Sequence, residues 1–274
     1  MLHLLFSLFF AAIALGCTQP RSDTKTSMES AAVPPYTLER FRDDAKVVDG
    51  IETLVVDNPY GEITVRQTNA SAIAWQGVEQ RIGNKPRIAR IEPFQEGKRQ
   101  GVRIRYPGIN PSAPVNPREG RVDLYVFVPR GHKLDLSSDF GNIMVRKIED
   151  DVRARSRTGM IVVANRGSFD LESQSGELRA FSMEGLGDAP SRMQTSGNIL
   201  VDVPIFDDIA MQATSAGEFR SEVKLDSQIV DASGVTRATF AHGNKKHRLI
   251  LQGGQSVILQ TLNKPIPNDN GADD

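Results

Sequence analysis

Apolar and polar residues alternate with a period of two through most of the chain, the spacing of half-buried strands. Over residues 134–221 one phrase punctuates the alternation: a serine or threonine, a glycine one or a few residues later, then apolar residues two and four positions beyond. It recurs at Gly141, Gly159, Gly176, Gly197 and Gly217, with spacings of 18, 17, 21 and 20 residues. A unit that short has room for two or three brief strands and buries nothing alone, so successive units must stack. The expected fold is all-β: a single β-solenoid of repeats of about 17 to 21 residues with a strand-rich N-terminal cap.

Strand alternation assigns the faces. After each glycine the first inward column is Ile143, Ile161, Leu178, Ile199 and Phe219, and the second is Val145, Val163, Ala180, Val201 and Ser221. Before the glycine, Leu134, Val152 and Phe169, then Leu136, Ala154 and Leu171, then Ser138, Ser156 and Ser173 form further inward columns. The outward residues between them alternate in charge: Asp135, Arg153 and Asp170 in one column, Ser137, Arg155 and Glu172 in the next. Ile209, Met211 and Ala213 break the parity before Gly217, for which a β-bulge is the expected remedy. The glycines are expected at corners that need positive φ or close backbone approach.

Around this repeat the chain divides into a signal peptide (residues 1–16), a Ser/Thr/Pro-rich flexible tether (17–35), a first turn with capping strands (36–131), the repeats (132–262) and an acidic, disordered tail (263–274). The phrase begins at Gly61, with Leu54, Val56, Ile63 and Val65 inward, and the alternating strands within residues 73–106 are expected to cover the open end. Past Ser221 it fades: Gly234 carries Thr236 and Ala238, Gly254 carries Ser256 and Ile258, so the last turns are expected to be polar inside. A net charge of −1 gives no nucleic-acid footprint, and one cysteine leaves no internal disulfide.

Chemistry is sparse. His3, His132, His242 and His247 have no ligand spacing, and the Lys245-Lys246-His247-Arg248 run reads as a surface turn. Glu149-Asp150-Asp151 and Asp207-Asp208 fall in connections, not across a cleft as glycoside hydrolysis requires. Catalytic, metal and cofactor assignments are therefore none. Trp75 reads as a cap-packing residue. The candidate contact surface is an outward apolar strip of Met144, Met160, Val162 and Leu200.

Two resemblances extend this reading. Ala14-Leu15-Gly16-Cys17, after an apolar leader too short to span a bilayer, resembles the lipobox of bacterial lipoproteins; it implies lipid attachment at Cys17 and, with Thr18 following, the outer membrane of a diderm cell. The repeat, the Asp57-Asn-Pro-Tyr-Gly-Glu-Ile-Thr-Val segment and the strand at residues 122–129 resemble the bacterial putative adhesin family, surface β-solenoid domains similar in style to head domains with Gly-Ile-Asn repeats. That likeness covers residues 47–262 and brings no catalytic residues with it. It implies a lipid-anchored, non-catalytic binding, adhesion or scaffold module with an envelope protein or glycan partner. The alternatives are a component that senses envelope stress and a β-helix carbohydrate-processing enzyme.

Overall fold

The computed structural model describes residues 36–83, 89–108, 120–182, 186–203 and 208–261, all strands and the turns between them. The N-terminal part supplies β1 (Tyr36–Lys46), β2 (Thr53–Asp57), β3 (Ile63–Thr68), β4 (Ala72–Ile82), β5 (Arg90–Glu96), β6 (Arg99–Arg105) and β7 (Val122–Pro129). The repeats supply β8 (Lys133–Ser138), β9 (Ile143–Ile148), β10 (Val152–Ser156), β11 (Ile161–Asn165), β12 (Phe169–Ser173), β13 (Leu178–Ser182), β14 (Ser191–Thr195) and β15 (Asn198–Val203). After them come β16 (Ile209–Ser215), β17 (Glu218–Ser221), β18 (Ser227–Val230), β19 (Thr236–Ala241), β20 (His247–Gly253) and β21 (Ser256–Thr261).

From β8 to β17 successive strands alternate between two large mixed sheets. One, of ten strands, runs β1-β4-β7-β3-β9-β11-β13-β15-β21-β17; the other, of eleven, runs β18-β19-β16-β20-β14-β12-β10-β8-β2-β6-β5. The central strands are parallel, while β1, β4, β5, β18 and β19 join antiparallel at the ends. The apolar residues of both sheets meet in one core.

The pairing registers reproduce the predicted columns over the repeats. Leu134, Val152 and Phe169 are Cα partners, as are Ile143, Ile161, Leu178 and Ile199. In the eleven-stranded sheet an unbroken buried column runs Val102, Val56, Leu136, Ala154, Leu171, Met193, Leu251, Ala213, Ala238. Strands buried on one face and paired on both edges accept such runs because every inward position removes an aliphatic group from water.

Where the chain passes from one sheet to the other, a buried hydroxyl closes the corner. The Ser138 Oγ accepts the Gly141 N–H at 2.9 Å and donates to the Gly61 carbonyl at 3.3 Å. Ser156 and Ser173 accept from Gly159 and Gly176, each at 2.8 Å, and Thr195 accepts from Gly197 at 2.9 Å while donating to the Gly176 carbonyl at 2.7 Å. Asn58 takes the same place in the first turn, its Nδ2 donating to the Val122 carbonyl at 2.7 Å. None of the corner glycines has positive φ. They are required by proximity instead: a β-carbon at Gly141 would overlap the carbonyl oxygen of Gly61, one at Gly159 that of Gly141, and one at Gly176 that of Gly159.

Four expectations need correction. The column after Ile199 continues to Val257, and only then to Phe219, because β20 and β21 insert between the β14–β15 and β16–β17 layers. That inserted layer is apolar inside: Leu249, Leu251, Val257 and Leu259 are buried, whereas Ser256 and Ile258 face outward. The phase differs because Gly253, not Gly254, occupies the hydroxyl position of the corner, pairing with Thr195 and Ser215. The parity break before Gly217 is not a bulge. Thr195 and Ser215 lie two residues before their glycines where Ser173 lies three before Gly176, so a shorter corner restores the phase and the strands stay in register. Gly234, with φ 82°, belongs to the β18–β19 hairpin and not to a stacking corner. Between residues 66 and 129, β6 and β7 pair parallel to β2 and β3 and so add a further layer, with β4, β1 and β5 laid antiparallel outside it. Trp75 on β4 is buried in the core, as expected of a capping residue.

Chemical denaturation tests the corner directly. Gly159→Ala should cost about 1–3 kcal/mol or more, since backbone and not a flexible side chain blocks the new methyl, and Ile161→Ala about 2–5 kcal/mol. Ser156→Ala, which strips the Gly159 N–H of its acceptor, should cost about 1–3 kcal/mol, and outward Arg153→Ala under about 1 kcal/mol. A glycine variant as stable as the arginine variant in urea would refute the close-approach account.

Candidate binding surface

The outer face of the eleven-stranded sheet carries a charge ladder. Asp135, Arg153, Asp170 and Arg192 are successive Cα partners, with Ser137, Arg155 and Glu172 beside them. The Arg153 Nε stands 3.4 Å from Asp170, while Arg155 reaches Glu172 at 3.6 Å and Asp135 at 3.8 Å. These pairs are exposed or only half-buried, so each contributes little and together they discriminate between registers.

At the corner edge of this face lies an open groove of about 330 Å³ lined by Asp57, Asp139, Arg155, Arg157 and Glu172 among others. Each carboxylate in it has a partner: Arg157 near Asp139 at 3.8 Å, Arg155 near Glu172 at 3.6 Å, and the Ser137 hydroxyl donating to Asp57 at 2.9 Å. Tyr60 stacks on Phe140 at 5.8 Å and meets Tyr106 edge-on at 4.7 Å. Burial and the nearby Asp139 carboxylate raise the Tyr60 hydroxyl above its ordinary pKa, against the opposing Arg157.

The predicted apolar strip falls on the outer face of the ten-stranded sheet. Met144 and Val162 are Cα neighbours, but Arg179 separates Val162 from Leu200, after which Ile258 follows. Met160 lies outside this column, just before β11, and its N–H donates to Asn142 Oδ1 at 2.9 Å. All four predicted residues are half-buried. The Arg146 Nε lies 3.1 Å from the Met144 sulfur, and Arg179 pairs with Glu177 at 2.7 Å. Cys17 lies outside the described residues.

The acidic and basic runs have local partners. Asp150 accepts the Gly131 N–H at 2.9 Å, Asp151 accepts the Ser168 N–H at 2.9 Å, and Glu149 sits between Arg130 and Arg166. Asp208 caps the turn at Asn244 at 2.9 Å; Asp207 is outside the described residues. Lys246 reaches Asp188 at 2.8 Å, and the His247 ring meets the Gly187 carbonyl at 2.9 Å. No cluster of three or more His, Cys, Asp or Glu side chains suited to a metal ion occurs among the described residues.

Two exposed features were not singled out by sequence. Tyr125, outward on β7, is 48% exposed, and Ile229 and Val230 on β18 are 65% and 60% exposed. Period-two alternation places Tyr125 outward, but nothing local marks β18 as an edge strand.

No protein-family model matches the sequence, and no curated protein matches it. Among solved structures the chain is similar to a putative cell adhesion protein from Clostridium sporogenes, at 12% identity over 81% of this chain and 99% of the other, with a TM-score of 0.49. A putative adhesin from Bacteroides fragilis matches at 12% identity over 81% and 97%, with a TM-score of 0.38. One from Parabacteroides distasonis matches at 11% identity over 81% and 97%, with a TM-score of 0.21.

The β18–β19 hairpin yields a pH prediction. In its turn the Ser233 hydroxyl, the Arg237 guanidinium and the Val235 and Ser233 N–H groups hold the Asp231 carboxyl at about 2, against a desolvation that raises it. A depressed carboxylate stabilises above its ordinary value near 4, and the contribution is lost as pH falls through about 2. Amide exchange of β18 and β19 should therefore accelerate between about pH 4 and pH 2 relative to β10 and β12. Asp231→Asn should abolish that differential; a hairpin whose protection tracks the central strands across this range would contradict it.

Proposed function

We propose that the chain is a lipid-anchored cell-envelope β-solenoid acting as a non-catalytic binding or adhesion module. The observation that carries the reading is the stacked, unbroken outer surface. Strands paired on both edges hold columns of outward side chains at a fixed spacing of about 4.8 Å, which suits an extended partner held at several points.

The acidic runs favour binding over hydrolysis, because their described members are engaged by arginine, lysine or backbone N–H groups and do not oppose one another across a cleft. The half-buried Met144, Met160, Val162 and Leu200 are the preferred contact residues for an envelope protein or glycan, since thioether and branched side chains at outward strand positions leave apolar area for a partner to cover. Cys17 is the anchor: one acyl chain gives marginal membrane binding, whereas several hold firmly.

Both parts can be tested on the full-length protein. Cys17→Ser should move it from the membrane pellet to the soluble fraction; retention after a carbonate wash would remove the lipoprotein reading. Met160→Lys with Val162→Lys should leave the melting temperature within a few degrees of wild type and weaken attachment to envelope fractions at least about tenfold. Unchanged attachment would exclude the strip, and turnover of a glycan by purified protein would overturn the non-catalytic reading.

A further inference from the structure

Arginines in the charge ladder are flanked by carboxylates, but elsewhere on the surface cations outnumber acids. At the C-terminal ends of the adjacent parallel strands β7, β3, β9 and β11 a cavity of about 420 Å³ is lined by Arg130, Lys147 and Arg166, with Glu149 the only carboxylate among its lining residues. Among the lining residues three cations stand against one carboxylate, in a chain whose net charge is −1. Glu149 approaches Arg130 at 3.1 Å and Arg166 at 3.6 Å, which holds the two guanidinium groups on one side of the cavity. Its own N–H donates to Gln67 Oε1 at 2.9 Å, fixing that amide against the wall. Gln67 Nε2 is buried and has no hydrogen-bond partner.

Lys147 is exposed, has no carboxylate partner among the described residues and is there because of a departure from the repeat. The β9–β11 pairing is the one described strand pairing whose register shifts: Val145 pairs with Val163, but Ile148 pairs with Asn165. Lys147 takes up the extra residue with φ 55°, a left-handed conformation that is costly for a side-chain-bearing residue. A bulge of this kind re-aims a side chain. Here it delivers a lysine to the cavity that an in-register strand would not.

We infer that this cavity binds the anionic group of an acidic glycan. The inference rests on the reading of the chain as a binding module and names the ligand class. Guanidinium forks suit carboxylate, sulfate or phosphate oxygens, and Gln67, Thr68 and Asn69 set neutral amide and hydroxyl groups beside them to meet sugar hydroxyls. The cavity is far larger than the roughly 30 Å³ share of one water and falls within the range of small-ligand pockets. A peptide fits less well: no aliphatic or aromatic side chain lines the cavity, and β7, β3, β9 and β11 are each paired on both sides, so no edge is free to receive an added strand.

The test is titration of the full-length protein with carboxylated, sulfated and phosphorylated oligosaccharides, their neutral counterparts and inorganic phosphate. At least one acidic class should bind at least about tenfold more tightly than its neutral counterpart and than inorganic phosphate, and more weakly as salt rises. Lys147→Asn, which tolerates the left-handed backbone, should lower that affinity about tenfold without lowering the melting temperature, and Arg166→Gln should act in the same direction. The proposal is overturned if no acidic oligosaccharide binds, if neutral counterparts or phosphate bind as well, or if Lys147→Asn binds like wild type. Envelope attachment measured on the same Lys147→Asn protein keeps the two readings apart. Glycan binding unchanged in that variant removes this cavity and leaves the binding module standing, whereas lost glycan selectivity with attachment retained upholds the cavity and places attachment on another surface.

Discussion

The close approach of each corner to the one before it is the constraint on which the rest depends. Parallel strands pair about 4.8 Å apart, so a chain that passes repeatedly between two sheets must repeat almost the same path at every turn. At Gly141, Gly159 and Gly176 the path leaves no room for a β-carbon above the preceding carbonyl. The buried serine or threonine that precedes each glycine does the complementary work, accepting the glycine N–H and, at Ser138 and Thr195, donating to a glycine carbonyl one layer back. A polar group at that depth would otherwise cost about 1–3 kcal/mol unpaired. Glycine and hydroxyl therefore act as a pair, and the columns of Ile143 and Leu136 lie in register because the corners do.

Once corners fix the path, inner and outer faces contribute differently. The inner columns are continuous aliphatic stacks whose burial is the main favourable contribution. The outer ladder of Asp135, Arg153, Asp170 and Arg192 contributes little per pair in water, yet a slip of one layer would leave like charges adjacent. It opposes misregister more than it stabilises register.

Much of this was legible because it is local. The glycine spacing, the period-two alternation and the hydroxyl before the glycine place β8 to β13 and β15 and their faces without reference to distant residues. What could not be read is what depends on neighbours far away in the chain. The inward place of Val257, where Ser256 and Ile258 were expected, turns on Gly253 standing where other corners have a hydroxyl, and the two adjacent glycines at 253 and 254 look equivalent until Thr195 and Ser215 are placed beside them. The site was legible only in part. Outward alternation identifies Met144, Val162 and Leu200, but the interposed Arg179 follows from layer order. The cavity at Lys147 was invisible, because in sequence Arg146-Lys147-Ile148 is an ordinary strand end and only the pairing to Asn165 reveals the extra residue.

The two ends of the stack depart from sequence order in the same way. At the N-terminal end β2 and β3 precede β6 and β7 in the chain, yet β6 and β7 lie outside them; at the other end β20 and β21 come last, yet β16 and β17 lie outside them. Each inner layer is thereby clamped on both sides, and the final strands of the core are not left at an edge. The outermost strands are made tolerant of that position: β1 and β5 carry Glu39, Arg40, Arg42, Asp43, Arg90, Glu92 and Pro93, charges and a proline that discourage further pairing, and β17 and β18 are only four residues long. The arrangement has a kinetic consequence. Pairings from β8 to β15 join neighbouring repeats and can propagate layer by layer, whereas Ser191 must find Leu249 across a loop that contains five other strands. Because loop-closure entropy must be overcome before such a pairing contributes, the order expected from topology brings β20 and β21 in last, into a slot whose two walls are then already formed. Leu249, Leu251, Val257 and Leu259 supply the burial that makes that late entry favourable.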